Sequence, residues 1–141
     1  MMKAGETMES QEVFHEIAVG RASPPLHTKE FGLFILNDIA SLAEENLSSV
    51  FYDAILFGSY AKGSQTEQPD IDICVILNVP SRDIYLHQTI LIQRSLDLLC
   101  EYDIDPSLFV CSLDKFNTSF SLVYDEIRKW GISWRKTLER G

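Results

Sequence analysis

At 141 residues the chain is long enough for one domain with a real core and too short for two. Twelve basic residues against 21 acidic ones give a net charge of −9, which argues against an enzyme that embraces a nucleic-acid backbone, because such proteins carry a basic face to displace counterions. No apolar run reaches the length of a membrane span, and the N-terminus lacks the basic-then-apolar layout of a signal peptide, so a cytoplasmic protein is expected.

Residues 1–27 read as a loosely attached extension. Ser10 is placed to cap a short helix whose apolar stripe is Val13, Phe14, Ile17 and Ala18, ending at Gly20. Ala22-Ser23-Pro24-Pro25 then breaks it, since a double proline cannot continue a helix and favours an extended linker. From Thr28, a candidate cap, Phe31, Phe34, Ile35, Ile39, Leu42 and Ala43 recur at helical spacing to about Asn46. Val50–Phe57 follows as a first strand.

The apolar run Ala54-Ile55-Leu56-Phe57 stops at Gly58-Ser59, and Tyr60–Gly63 reads as a short helix. Gly58 frees the backbone for a sharp turn and for the close approach of a phosphate, and Ser59 offers a hydroxyl and an N–H where the helix starts. A polar loop, 64–69, leads to a second strand, Asp70–Asn78. Side chains two apart on a strand share a face, so Asp70 and Asp72 point the same way and can grip one divalent cation. Hard oxygen ligands are what Mg²⁺ takes, with substrate phosphates and water completing its shell. A capping role does not explain two acids on one face directly before five apolar residues, because unpaired carboxylates beside a buried strand are costly to desolvate.

Asp83 is the expected N-cap of a helix running to about Glu101, with Leu86, Ile90, Leu91, Leu98 and Leu99 on its core face. A third strand, Ser107–Cys111, follows, with Pro106 at its start or on an edge, where a missing N–H does no harm. A last helix is expected from Ser119 to Trp130, stopping before Gly131 and leaving a short tail with Trp134. Arg128-Lys129 and Arg135-Lys136 suit a helix C-terminus and a solvated tail. Cys74, Cys100 and Cys111 show no metal-ligand spacing and are expected as buried free thiols, and His15, His27 and His87 are scattered.

The pattern Gly-Ser-x10-Asp-x-Asp, carried by Gly58, Ser59, Gly63, Asp70 and Asp72, resembles the signature of the DNA polymerase β-like nucleotidyltransferase superfamily. The short chain is similar to its minimal nucleotidyltransferases, the MNT proteins often paired with a HEPN-type partner. That resemblance implies an α+β fold: a small mixed sheet with helices packed mainly on one face, the other being left for a nucleotide or a partner. Residues 28–141 would form the nucleotidyltransferase domain.

It also implies two Mg²⁺ ions, ATP as the nucleotide donor and a third carboxylate from a neighbouring strand. Asp105, just before Ser107–Cys111, matches that position better than Asp103, which stays open. Relatives commonly carry arginine after the Gly-Ser pair; Tyr60 stands here instead, and Lys62 is the candidate phosphate contact. The activity implied is transfer of AMP from ATP to a hydroxyl of a HEPN-like partner protein, with the chain acting as its antitoxin. The competing reading is a non-catalytic binding module that neutralises its partner by occupying it. A sheet covered on one side would leave apolar surface exposed, so association with the partner or with a second copy is expected.

Overall fold

The computed structural model describes residues 23–63 and 70–139. The expected helix near residues 10–20 and the loop at 64–69 lie outside the described residues. In chain order the elements are α1 (Lys29–Asn46), β1 (Phe51–Phe57), α2 (Ser59–Lys62), β2 (Asp70–Leu77), a 3-10 helix (Ser81–Leu86), α3 (Thr89–Tyr102), β3 (Asp105–Ser112), α4 (Leu113–Thr118), α5 (Leu122–Trp130), β4 (Ile132–Ser133) and α6 (Trp134–Glu139). Thr28 caps α1 as expected: its backbone is extended and its Oγ1 accepts the Phe31 N–H at 3.1 Å.

The four strands form one mixed sheet in the order β3-β2-β1-β4. β1 and β2 are antiparallel, as are β1 and β4, whereas β2 and β3 are parallel and joined by α3. Alternation along the strands sorts their side chains between two cores. Ile71, Ile73, Val75 and Leu77 of β2 face the larger one, where Phe31, Leu36 and Ile39 of α1 and Leu91 and Leu98 of α3 close over them. Cys74 and Ile76 face a smaller one with Ile55, Phe57 and Cys111, covered by Tyr124 and Ile127 of α5. The main packing is on one face, but the other is not left bare, because α5 lies across part of it.

Three local expectations need correction, and one short helix is added. Asp83 lies inside the 3-10 helix, and α3 starts only at Thr89; the Asp83 N–H closes a tight turn on the Pro80 carbonyl at 2.9 Å, and the Ser81 and Ser112 hydroxyls hydrogen-bond at 3.0 Å, tying that turn to the end of β3. The last long helix starts at Leu122 and ends before Gly131 as expected, but an unexpected short helix, α4, precedes it, because Ser112 caps α4 by accepting the Lys115 N–H at 3.1 Å, and Arg128 binds the Phe116 and Ser119 carbonyls across the turn into α5.

The tail is structured: β4 pairs Ile132 with Leu56 and Ser133 with Ile55. Buried Asp53 accepts the Ser133 hydroxyl, the Arg135 N–H at 3.1 Å and the Ala54 N–H at 2.8 Å. Finally, Cys74 and Cys111 are buried, with their sulfurs 3.7 Å apart, but Cys100 is exposed on α3.

Candidate active site

The Gly-Ser turn and the acidic pair meet because β1 and β2 are antiparallel neighbours: Phe57, the last residue before the turn, pairs with Asp72. Gly58 adopts φ 75°, ψ −156°, a region open only to glycine. A Cβ at that position would collide with Oδ2 of Asp72, so the missing side chain is also the space the carboxylate occupies. Ser59 opens α2, and Gly63 closes it in a left-handed conformation at φ 71°. Among the described residues a Cβ on Gly63 would meet nothing within 4 Å, and its requirement there is the backbone angle.

Asp105 belongs to the same group. The parallel register of β2 and β3 sets Asp70 opposite Asp105 and Asp72 opposite Ser107. By alternation from Cys74, Cys111 and Phe109, the three acids Asp70, Asp72 and Asp105 share the face that carries the smaller core. Asp103 is separated from them, as the left-handed C-cap of α3 at φ 54°. Asp72 is half-buried, while Asp70 and Asp105 are exposed at the strand heads. Burial raises the Asp72 carboxyl above its ordinary value, and the charges of Asp70, Glu126 and Asp105 raise it further.

The donor set fits Mg²⁺ in kind, being all hard oxygen. Among the described residues no three acidic, histidine or cysteine side chains are gathered tightly enough to hold an ion between them as they stand. The fit therefore lies in the backbone. Asp70 and Asp105 are register partners on neighbouring strands, which run about 4.8 Å apart. Bound there, divalent cations would offset charge on a triphosphate and help activate an attacking oxygen.

Two positions differ from a plain phosphate cradle. Tyr60, the residue after the Gly-Ser pair, is buried in the larger core. Lys62 carries the nearby positive charge, and its Nζ pairs with Oε1 of Glu126 at 2.7 Å. Glu126 went unseen in the sequence, where it is one acid among many, 54 residues beyond Asp72; only the placement of α5 across the second face brings it here.

A sheet with a glycine-serine turn packed against paired strand-head aspartates defines a class of enzyme that moves phosphate-linked groups. A nucleotidyltransferase domain family matches residues 39–128, more than half of the chain and including the turn and all three aspartates. The chain belongs to this family and is a nucleotidyltransferase. It is 29% identical over 109 residues, 68% of this chain and 74% of the relative, to the Methanocaldococcus jannaschii protein named "Putative protein adenylyltransferase MJ1305". Among solved structures it is similar to a toxin-antitoxin crystallised with AMP-PNP, at 21% identity and a TM-score of 0.47, over 74% of this chain and 81% of the other. A second similar structure is the MntA-HpeT toxin-antitoxin, at 22% identity and a TM-score of 0.45, over 74% and 81%. Among the described residues no helix is long and apolar enough to cross a membrane.

Proposed function

We propose that the chain is a Mg²⁺-dependent enzyme that transfers AMP from ATP to a hydroxyl of a HEPN-like partner protein, and so acts as that protein's antitoxin in the cytoplasm. Residues 28–141 are its catalytic domain and 1–27 an extension. The observation that carries the reading is the placement of Asp70 opposite Asp105 on parallel strands, with Asp72 seated against Gly58. Asp70, Asp72 and Asp105 would hold the metal, which would offset the charge of the triphosphate and help to activate the acceptor oxygen. Gly58, Ser59 and Gly63 shape the turn that receives the triphosphate. Lys62 exchanges Glu126 for a phosphate when the nucleotide arrives. The acceptor oxygen then bonds to the α-phosphorus as the bond to pyrophosphate breaks.

The acceptor and the antitoxin role are supported by the family resemblance and by the adenylyltransferase name of the archaeal relative. The rival reading, a binding module without catalysis, gives no reason for Asp70, Asp105 and Glu126 to stand where their charges raise the Asp72 carboxyl. The experiment is to incubate the chain and its candidate partner with α-labelled ATP and Mg²⁺ and to weigh the partner. The partner should gain one or more AMP masses, and Asp72→Asn, which keeps shape and removes charge, should slow transfer about 100-fold or more. If Asp72→Asn still neutralises the partner fully while no label transfers, binding alone suffices and the catalytic reading is wrong.

A further inference from the structure

The groups assigned above hold phosphates and metal, and none of them accounts for the base of the nucleotide. α5 supplies a surface for it. Glu126 and Trp130 are four residues apart and therefore lie on one face of the helix. Both meet Lys62, whose Nζ is 2.7 Å from Glu126 and 5.8 Å from the centre of the Trp130 ring. Lys129 stands 5.5 Å from the same centre, so two ammonium groups flank one indole.

Trp130 is nevertheless 51% exposed, whereas Trp134 is 6% exposed and donates its Nε1–H to Asn37. The backbone that follows the indole is packed closely. A Cβ on Gly131 would collide with Ile127 and Ile55, so the end of α5 is pressed onto β1. Trp130 directly precedes Gly131, and the Nζ of Lys62, the last residue of α2, lies 5.8 Å from the centre of its ring. A half-exposed aromatic ring thus stands against the lysine of the short helix that follows the Gly-Ser turn, with two ammonium groups over it.

We propose that Trp130 is the platform on which the purine of the donor nucleotide stacks, taking the place of the Lys62 ammonium over the ring while Lys62 turns to meet the phosphates. The inference rests on the nucleotidyltransferase reading and adds the base subsite to it. Stacking recognises the ring face and not the hydrogen-bonding edge, so ATP and GTP are held alike and the smaller pyrimidine nucleotides less well.

The test uses the full chain with Mg²⁺, tryptophan fluorescence and calorimetry. MgATP should quench the emission of the exposed tryptophan, and inorganic triphosphate with Mg²⁺ should bind without quenching. Trp130→Phe should keep the affinity for MgATP and lose the quench. Trp130→Ala should weaken MgATP by about tenfold to a hundredfold while leaving inorganic triphosphate unchanged.

If MgATP binds but does not quench, or binds Trp130→Ala as tightly as the wild type, the base subsite is wrong and the phosphate site stands. The base subsite is equally wrong if Trp130→Ala weakens inorganic triphosphate to the same degree, since the ring would then only position Lys62, or if it abolishes association with the partner and leaves nucleotide binding untouched. If neither MgATP nor inorganic triphosphate binds the wild type, the base subsite fails together with the nucleotidyltransferase site beneath it.

Discussion

Gly58 combines two demands that no other residue meets, a backbone conformation open only to glycine and an absent side chain where the Asp72 carboxylate sits. Gly58→Ala should therefore destabilise the fold by about 1–3 kcal/mol and also displace Asp72. The check is a denaturant titration beside a Mg²⁺-dependent ATP titration, the second expected to fail even where the first shows a folded protein. Asp72 gives a pH signature. Its folded-state pKa lies above its unfolded value, so the stability tied to its protonated form is fully present below about pH 3.9 and is lost as pH rises through the folded value. Without divalent metal, Asp72→Asn should melt higher than the wild type at pH 7, and the gap should close as pH falls toward 4. Parallel melting curves across that range would show that burial and the neighbouring acids do not penalise the Asp72 charge.

Elements far apart in the chain are joined by single polar residues. Asp53 takes three donors, two of them from β4 and the start of α6, so the C-terminal segment depends on a carboxylate in β1. Asp53→Ala should cost about 2–3 kcal/mol, because buried donors to a charged acceptor would be left unmade. The midpoint in urea should fall with little change in slope. The link between α2 and α5 runs the opposite way for function, since Glu126 occupies Lys62 and adds negative charge beside Asp72. Glu126→Gln should tighten MgATP by up to about fivefold, the scale of a partly exposed ion pair. Calorimetry giving weaker binding would show instead that Glu126 helps to hold the nucleotide.

For the molecule as a whole, the larger core anchors α1 and α3 beneath the sheet, and the smaller core anchors α5 above it. The acidic site lies on the α5 side, at the heads of β2 and β3. A ligand there joins β1, β2 and β3, and a chain of net charge −9 gains from any cation that neutralises this corner. MgATP at about 100 times its dissociation constant should raise the melting temperature by roughly 5–10 °C. With EDTA the rise should vanish, because the triphosphate then meets bare carboxylates. An equal rise in both conditions would remove the metal-bridged site.

The sequence by itself determined the parts of this protein whose signals are local. Apolar periodicity placed α1, β1 and β2, Thr28 marked a cap, and alternation put Asp70 and Asp72 on one face. Where the chain turns on distant partners, local signals ran out. The 3-10 turn before α3, the break between α4 and α5 and the pairing of β4 depend on Ser112, Arg128 and Asp53, whose partners lie elsewhere in the fold. Spacing leaves Asp103 and Asp105 both near the strand head, and only the tertiary register sets Asp105 opposite Asp70 while Asp103 caps α3. Glu126 and Trp130 reach Lys62 through α5 lying across the second face of the sheet, a contact made by packing and not by any pattern in the chain.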